Sequence, residues 1–170
     1  VGELDDFLHG PSNVFVGSIW NGHYNAIAQC NQALKALVTA KVDTITKNRW
    51  IGEVRFMRAY YYFNMVRYYG GVPAVLRVPD SAADANSDDK FQTRATAEQI
   101  YNIIIEDLQF AIENTPLRNA TQKGRINKGT AQSMLAKVFM YRKDWQKVLD
   151  LTTEVVNSGQ YDLVPDYAKL

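Results

Sequence analysis

The sequence predicts an all-α fold of stacked antiparallel helix pairs, interrupted by one long irregular loop. Apolar residues recur at spacings of three and four over most of the chain, the period of a helix with one buried face. Capping residues and Gly or Pro breakers fall where those periodic runs begin and end. No stretch alternates with period two for long enough to make a strand.

The first helix is predicted over about 14–40. Trp20, Tyr24, Ile27, Asn31, Leu34 and Val38 form its apolar stripe. Asn31 interrupts that stripe, and an unpaired buried amide costs about 1–3 kcal/mol, so it is expected buried and bonded. The second helix, about 47–69, ends at Gly70-Gly71 with Pro73 beyond, a glycine stop. Seven of its last 14 residues are aromatic, which raises the choice between a ligand platform and a core. Gly52, Phe56, Ala59, Phe63 and Val66 share one face; Val54, Met57, Tyr61, Met65 and Tyr68 share the opposite one. Apolar on both sides, this helix is expected to lie between two layers, with Arg55, Arg58, Arg67 and Glu53 meeting the tyrosine hydroxyls.

Residues 70–95 form the loop, long for a compact domain, with a small acidic stretch at 81–89 expected to be a solvated excursion. Thr96 and Gln99 stand at capping-box spacing and open a third helix over 96–114, stopped by Pro116. A fourth is predicted over 127–142. A fifth, over 144–158, starts at the N-cap Asp144 and ends before Gly159. Leu135, Ala136, Phe139, Trp145, Val148 and Leu149 reproduce tetratricopeptide spacing, with Val148 in place of an alanine and Lys143 in place of a turn glycine. Trp145 is expected to pack near Phe139 and close that pair. Helix pairs of this kind bury both faces only by stacking on neighbours, so 1–170 reads as a single helical unit.

Composition excludes several function classes. The 170 residues carry 19 basic and 18 acidic side chains, well interspersed, which gives no overall footprint for nucleic acid or anionic lipid. No apolar run reaches the roughly 20 residues of a spanning helix. Cys30 is the one cysteine, so no internal disulfide forms. His9 and His23 sit in no metal-ligand spacing, and no Ser occupies G-x-S-x-G. Gly124 and Gly129 match P-loop spacing, but Thr130 stands where lysine is needed. The adjacent Asp88-Asp89 cannot hold the separation that glycoside hydrolysis requires. Asn119-Ala120-Thr121 spells a sequon and is read as a turn between helices. No catalytic residue, metal or cofactor is expected.

The stretch "GEVRFMRAYYYFNMVRYYGGVP" resembles the hallmark segment of the SusD/RagB-like family. "RATAEQIYNIIIEDLQFAIENTP" and "GRINKGTAQSMLAKVFMYRKDWQKVLDLTTEVVNSGQYDL" are similar to two further family blocks, in the family's order. The resemblance implies a surface lipoprotein that binds oligosaccharides or other nutrients beside a SusC-like, TonB-dependent outer-membrane transporter, without catalysis. It further implies a tetratricopeptide-like scaffold facing the transporter, with the ligand held by less regular segments. The resemblance also implies that the chain corresponds to the family's N-terminal helical portion, without the lipidated cysteine that anchors members to the outer membrane and without most of the C-terminal part.

Sugars are held by accessible rings flanked by hydrogen-bonding groups. Such residues cluster ahead of the first helix: Phe7, His9, Asn13 and Phe15, with Trp20 one turn in. Arg77 and Asp80 in the long loop are a secondary choice. The competing reading has Trp20 heading the core stripe and Phe7 and Phe15 stapling the helix start. At the level of function, the alternative is a tetratricopeptide-type scaffold for protein partners.

Overall fold

A computed structural model describes Gly10, residues 13–87 and residues 89–163. Five long helices follow one another: α1 (Val14–Thr39), α2 (Thr44–Tyr69), α5 (Ala97–Asn114), α6 (Lys128–Tyr141) and α7 (Trp145–Asn157). Two short ones, α3 (Ala82–Ser87) and α4 (Asp89–Gln92), lie within the long loop. That loop is therefore partly helical rather than a plain solvated excursion.

Side chains set the helix starts. The Asn13 carboxamide oxygen accepts from the Phe15 N–H at 2.9 Å, Asp43 from Thr46, Asn127 from Thr130 and Asp144 from Lys147. Because Asp43 caps it, α2 begins three residues before its apolar pattern does. At α5 the capping box is complete: the Gln99 N–H donates to Thr96 Oγ1, and the Thr96 N–H to Gln99 Oε1. Gly70, at φ 72°, stops α2 in the left-handed region. Lys143, at φ 60°, takes the turn conformation usually left to glycine.

Each long helix packs on the next, and α2 lies between α1 and α5. The α1/α2 pair is antiparallel. Tyr69, ending α2, donates to the carbonyl of Val16, while Lys47, near its start, donates to that of Val38. Phe56, Ala59, Tyr62, Phe63, Met65 and Val66 form the centre of the core, with Ile100, Ile104, Leu108 and Ala111 from α5 and Leu135, Val138 and Phe139 from α6. A large apolar side chain so buried contributes about 1.5–3 kcal/mol. A Cβ built on Gly52 would stand 3.2 Å from Thr115 Cγ2, so that glycine lets α2 approach the end of α5 closely.

Several expectations are corrected. Gly52, Phe56, Ala59, Phe63 and Val66 are buried as the wheel predicts, but on the opposite face Met57 is 37% and Tyr68 59% exposed, because α1 covers only part of that side. Val38 is exposed as well; the buried part of α1 is Ile27, Cys30 and Asn31. The tyrosine hydroxyls are met by backbone carbonyls rather than by arginines: Tyr24 donates to Pro73, Tyr62 to Val75 and Tyr69 to Val16. Trp145 is 62% exposed and does not close the α6/α7 pair. It is the first residue of α7, and the face of Phe139 is taken by the Lys147 ammonium, 4.7 Å from the ring centroid. Val148 and Leu151 attach α7 to the core instead.

Candidate ligand-binding site

The deepest polar group is Asp107 on α5, 1% exposed. Its oxygens accept from Arg55 Nε at 2.6 Å and from Arg58 Nε and Nη2 at 2.8 and 2.9 Å. Arg58 is itself buried. Burial works against its charge, and the bonds and field of Asp107 more than offset that, holding its pKa above the ordinary value. The remaining guanidinium donor, Nη1, reaches Asn31 Oδ1 at 2.9 Å and the Leu76 carbonyl at 3.2 Å. Asn31 turns its amide nitrogen to the Val75 carbonyl at 2.9 Å, so both its ends are satisfied, as expected of a polar residue in an apolar stripe. Among the described residues no buried side-chain polar atom lacks a partner.

This network has a purpose legible in its acceptors. Backbone carbonyls at positions 73, 75 and 76 receive donors from Tyr24, Asn31, Arg58 and Tyr62. Burial pushes the Tyr24 and Tyr62 hydroxyls far above their ordinary range, so both remain neutral donors. On the outer side Arg94 donates to the carbonyls of Tyr69 and Gly71, and the Ala95 N–H to that of Val72. A β-bridge joins Pro73 and Arg94. Two helices, α1 and α2, thus hold the start of the long loop, while Arg94 and Ala95 tie its far end back to that start, the arrangement expected of a preorganised binding segment on a rigid scaffold. Against it lies an open cleft of about 450 Å3, with Ala74, Leu76 and Ile103 as apolar wall and Thr93, Arg94 and Asn102 as polar rim. That size lies within the range of small-molecule sites.

Of the residues singled out in the sequence, Phe7 and His9 lie outside the described residues. Of the other N-terminal ones, Trp20 joins a surface ridge of rings. Phe15 is 58% exposed; Trp20, half-buried, packs on Tyr24 at 4.9 Å and edge-on to Tyr69 at 5.1 Å between centroids. From Tyr69 the ridge continues to Tyr68, then to His23 and Tyr61, in edge contacts of 5.8 to 6.4 Å. The Ile19 carbonyl, 2.8 Å from His23 Nδ1, can only accept, so Nδ1 carries a proton and the other ring nitrogen is left for a ligand. Trp20 and Tyr24 do belong to the core margin, as the competing reading had it, while Phe15 and Tyr68 remain accessible. Sequence reasoning missed Tyr68 and His23, which reach the ridge only because α2 returns alongside α1.

Arg77 and Asp80 stand elsewhere. Arg77 makes a two-pronged pair with Asp84, at 2.5 and 2.7 Å, and lies over the Phe91 ring. Asp80 pairs with Lys35 at 2.7 Å. From Trp20 to Lys35 is roughly 22 Å along α1 at 1.5 Å per residue, so the seven sequence candidates do not converge on one site. Arg77 and Asp80 shape the loop; Asn13, Phe15 and Trp20 flank the ridge.

A family model described as "Starch-binding associating with outer membrane" matches residues 9–140. The chain belongs to the SusD-like family. The SusD-like protein P2 of Formosa agariphila is 31% identical over 173 residues, 99% of this chain and 33% of its own length. A solved SusD-like protein of Bacteroides fragilis superposes with a TM-score of 0.82 at 31% identity, over 92% of this chain and 30% of that one. A laminarin-binding SusD-like protein of known structure gives 0.70 at 30% identity, over 81% of this chain and 29% of that one. The SusD-like chain thus spans about a third of the length of these relatives.

Proposed function

We propose that this SusD-like chain is the helical portion of a non-catalytic, cell-surface glycan- or nutrient-binding protein. It works beside a SusC-like, TonB-dependent outer-membrane transporter, and a lipid anchor supplied outside this chain holds it to the membrane. Family membership supports the association with the outer membrane, and the laminarin-binding relative supports a saccharide ligand. The observation that carries the binding reading is the pairing of a ring ridge from Trp20 to Tyr68, with Phe15 exposed near the start of the same first helix, with a loop whose carbonyls are held by two helices. Rings supply flat faces for sugar C–H groups; His23, Asn13 and the cleft rim supply hydrogen bonds to hydroxyls.

Calorimetry with laminari-oligosaccharides and a panel of other neutral glycans tests this. Two stacking rings together are worth roughly 1–3 kcal/mol, so Phe15→Ala with Tyr68→Ala should weaken binding about 5- to 150-fold. An affinity unchanged in that variant, and unchanged again when Asn13→Ala and Trp20→Ala are added, removes the ridge from the site. The scaffold alternative has one specific observation in its favour. Trp145, Leu149 and Val156 form an exposed apolar stripe on α7, a surface suited to another helix. If no glycan binds while Leu149→Glu abolishes capture of the transporter, the scaffold reading replaces the first.

A further inference from the structure

A second concavity lies away from the ridge and from the clamped loop. The connection between α5 and α6, together with the residues following α7, encloses a basin of about 720 Å3. Arg118, Asn119, Lys123, Arg125, Asn127 and Gln160 line it, and no acidic side chain does among the described residues. Glu53, on α2, pairs with Arg125 and Arg49 and so neutralises one of the three cations. The other two have no carboxylate partner among the described residues. Arg118 donates through Nη1 to the Gln160 carbonyl at 2.9 Å and lies 5.0 Å over the Tyr161 ring; Lys123, exposed, makes no ion pair among the described residues.

The walls are held in place. The Asn119 N–H donates to Gln160 Oε1 at 3.0 Å, and Tyr161 donates to Asn127 Oδ1 at 2.6 Å, joining the end of α7 to the start of α6. A guanidinium and an ammonium without counter-charge favour an oxyanion, and the guanidinium can hold it through more than one N–H. The surrounding amides and the Thr121 hydroxyl suit sugar hydroxyls. The volume is that of a small-molecule site, far larger than a bare anion fills.

We propose that this basin binds an acidic saccharide, a sugar bearing a carboxylate or sulfate group, with Arg118 and Lys123 on the oxyanion and Asn119 and Gln160 on hydroxyls. The proposal rests on the reading that the chain binds glycans. It adds a second, charge-selective site, since Glu53 and Tyr68 are roughly 22 Å apart along α2.

The test is calorimetry on the chain with four probes: an oligogalacturonide, a sulfated oligosaccharide, a neutral laminari-oligosaccharide and inorganic sulfate alone. At least one acidic saccharide should bind, more tightly at low than at high salt. Lys123→Gln should weaken it about tenfold, the loss of one charge-assisted contact, and Lys123→Arg should restore it. Lys123 is exposed and makes no ion pair among the described residues, so this variant keeps the fold even if Arg118→Gln, which frees Gln160, does not. Phe15→Ala with Tyr68→Ala should leave acidic binding unchanged. Which acidic probe binds identifies the oxyanion. Acidic binding indifferent to Lys123→Gln, or no tighter than that of inorganic sulfate, overturns the proposal. Neutral binding with no acidic binding overturns it and spares the ridge; no binding of either kind overturns both.

Discussion

Asp107→Ala should be the most damaging single substitution in the chain. It leaves Arg58, 6% exposed, as a buried guanidinium without its carboxylate, and deprives Arg55 of its partner. Breaking a buried ion pair from one side costs about 3–5 kcal/mol, a large part of the 5–15 kcal/mol that holds a domain together. With a urea slope of about 2–3 kcal/mol/M for a chain of this size, the unfolding midpoint followed by circular dichroism should fall by roughly 1–2 M. Removing both charges, as Arg58→Met with Asp107→Leu, should not restore stability. Asn31 Oδ1 would still lose its donor, and the Leu76 carbonyl with it, at about 1–3 kcal/mol for each buried group. The loop supplies a second readout. Without the network the carbonyls at 75 and 76 lose their anchor, so proteolysis within 77–94 should speed up before global unfolding begins. A midpoint drop under about 0.3 M, with unchanged loop digestion, would mean that water already serves these groups and that the clamp argument is wrong.

Gly71→Ala should destabilise by about 1–3 kcal/mol in the same assay, since its Cβ would fall 2.2 Å from the Ala95 carbonyl oxygen. Lys143→Gly should stabilise by about 0.5–1 kcal/mol, because relief of a left-handed side-chain conformation exceeds the entropy that glycine adds to the unfolded chain. Trp145→Ala should change stability by no more than about 0.5 kcal/mol, as at other exposed positions; a loss of several kcal/mol would show that α7 packs differently. Hydrogen bonds from Arg77 lower the Asp84 carboxyl to about 2. A pKa depressed by folding stabilises above the unfolded value and is lost as pH falls through the folded one. Protection of the 77–84 turn amides, taken relative to the unstructured-peptide exchange rate at each pH, should therefore fall between about pH 4 and 2 and stay flat above pH 5.

The long helices and most of the core were legible in the sequence because each rests on local information. Thr96 and Gln99 specify the start of α5 between themselves, and Gly70 specifies the end of α2. The buried face of α2 follows from a wheel, since α5 and α6 cover that face along its length. Its other face does not: whether Met57 and Tyr68 see solvent depends on how far α1 extends over them, which no spacing in α2 encodes. The clamp was half visible. A polar residue inside an apolar stripe announces that Asn31 is bonded, but its partners lie 27 and 44 residues away.

Trp145 shows where local patterns mislead. The tetratricopeptide spacing places an aromatic at that position, and in a stacked array each helix is covered by the one after it. Here α7 is the last described helix. Its inner residues Val148 and Leu151 meet the core, while Trp145, Leu149 and Val156 continue the apolar arc outward with nothing described against them. The sequence writes such a stripe for a helix that expects a neighbour on both sides, and a wheel cannot tell which neighbour is present. The same holds for the binding surfaces. Phe15 and Trp20 precede Tyr68 by about 50 residues, and Arg118 precedes Gln160 by 42, so each becomes part of a site only when a helix hairpin brings its partner back. Both proposed ligand surfaces lie at seams between hairpins, and within one helix the sequence shows only half of each seam.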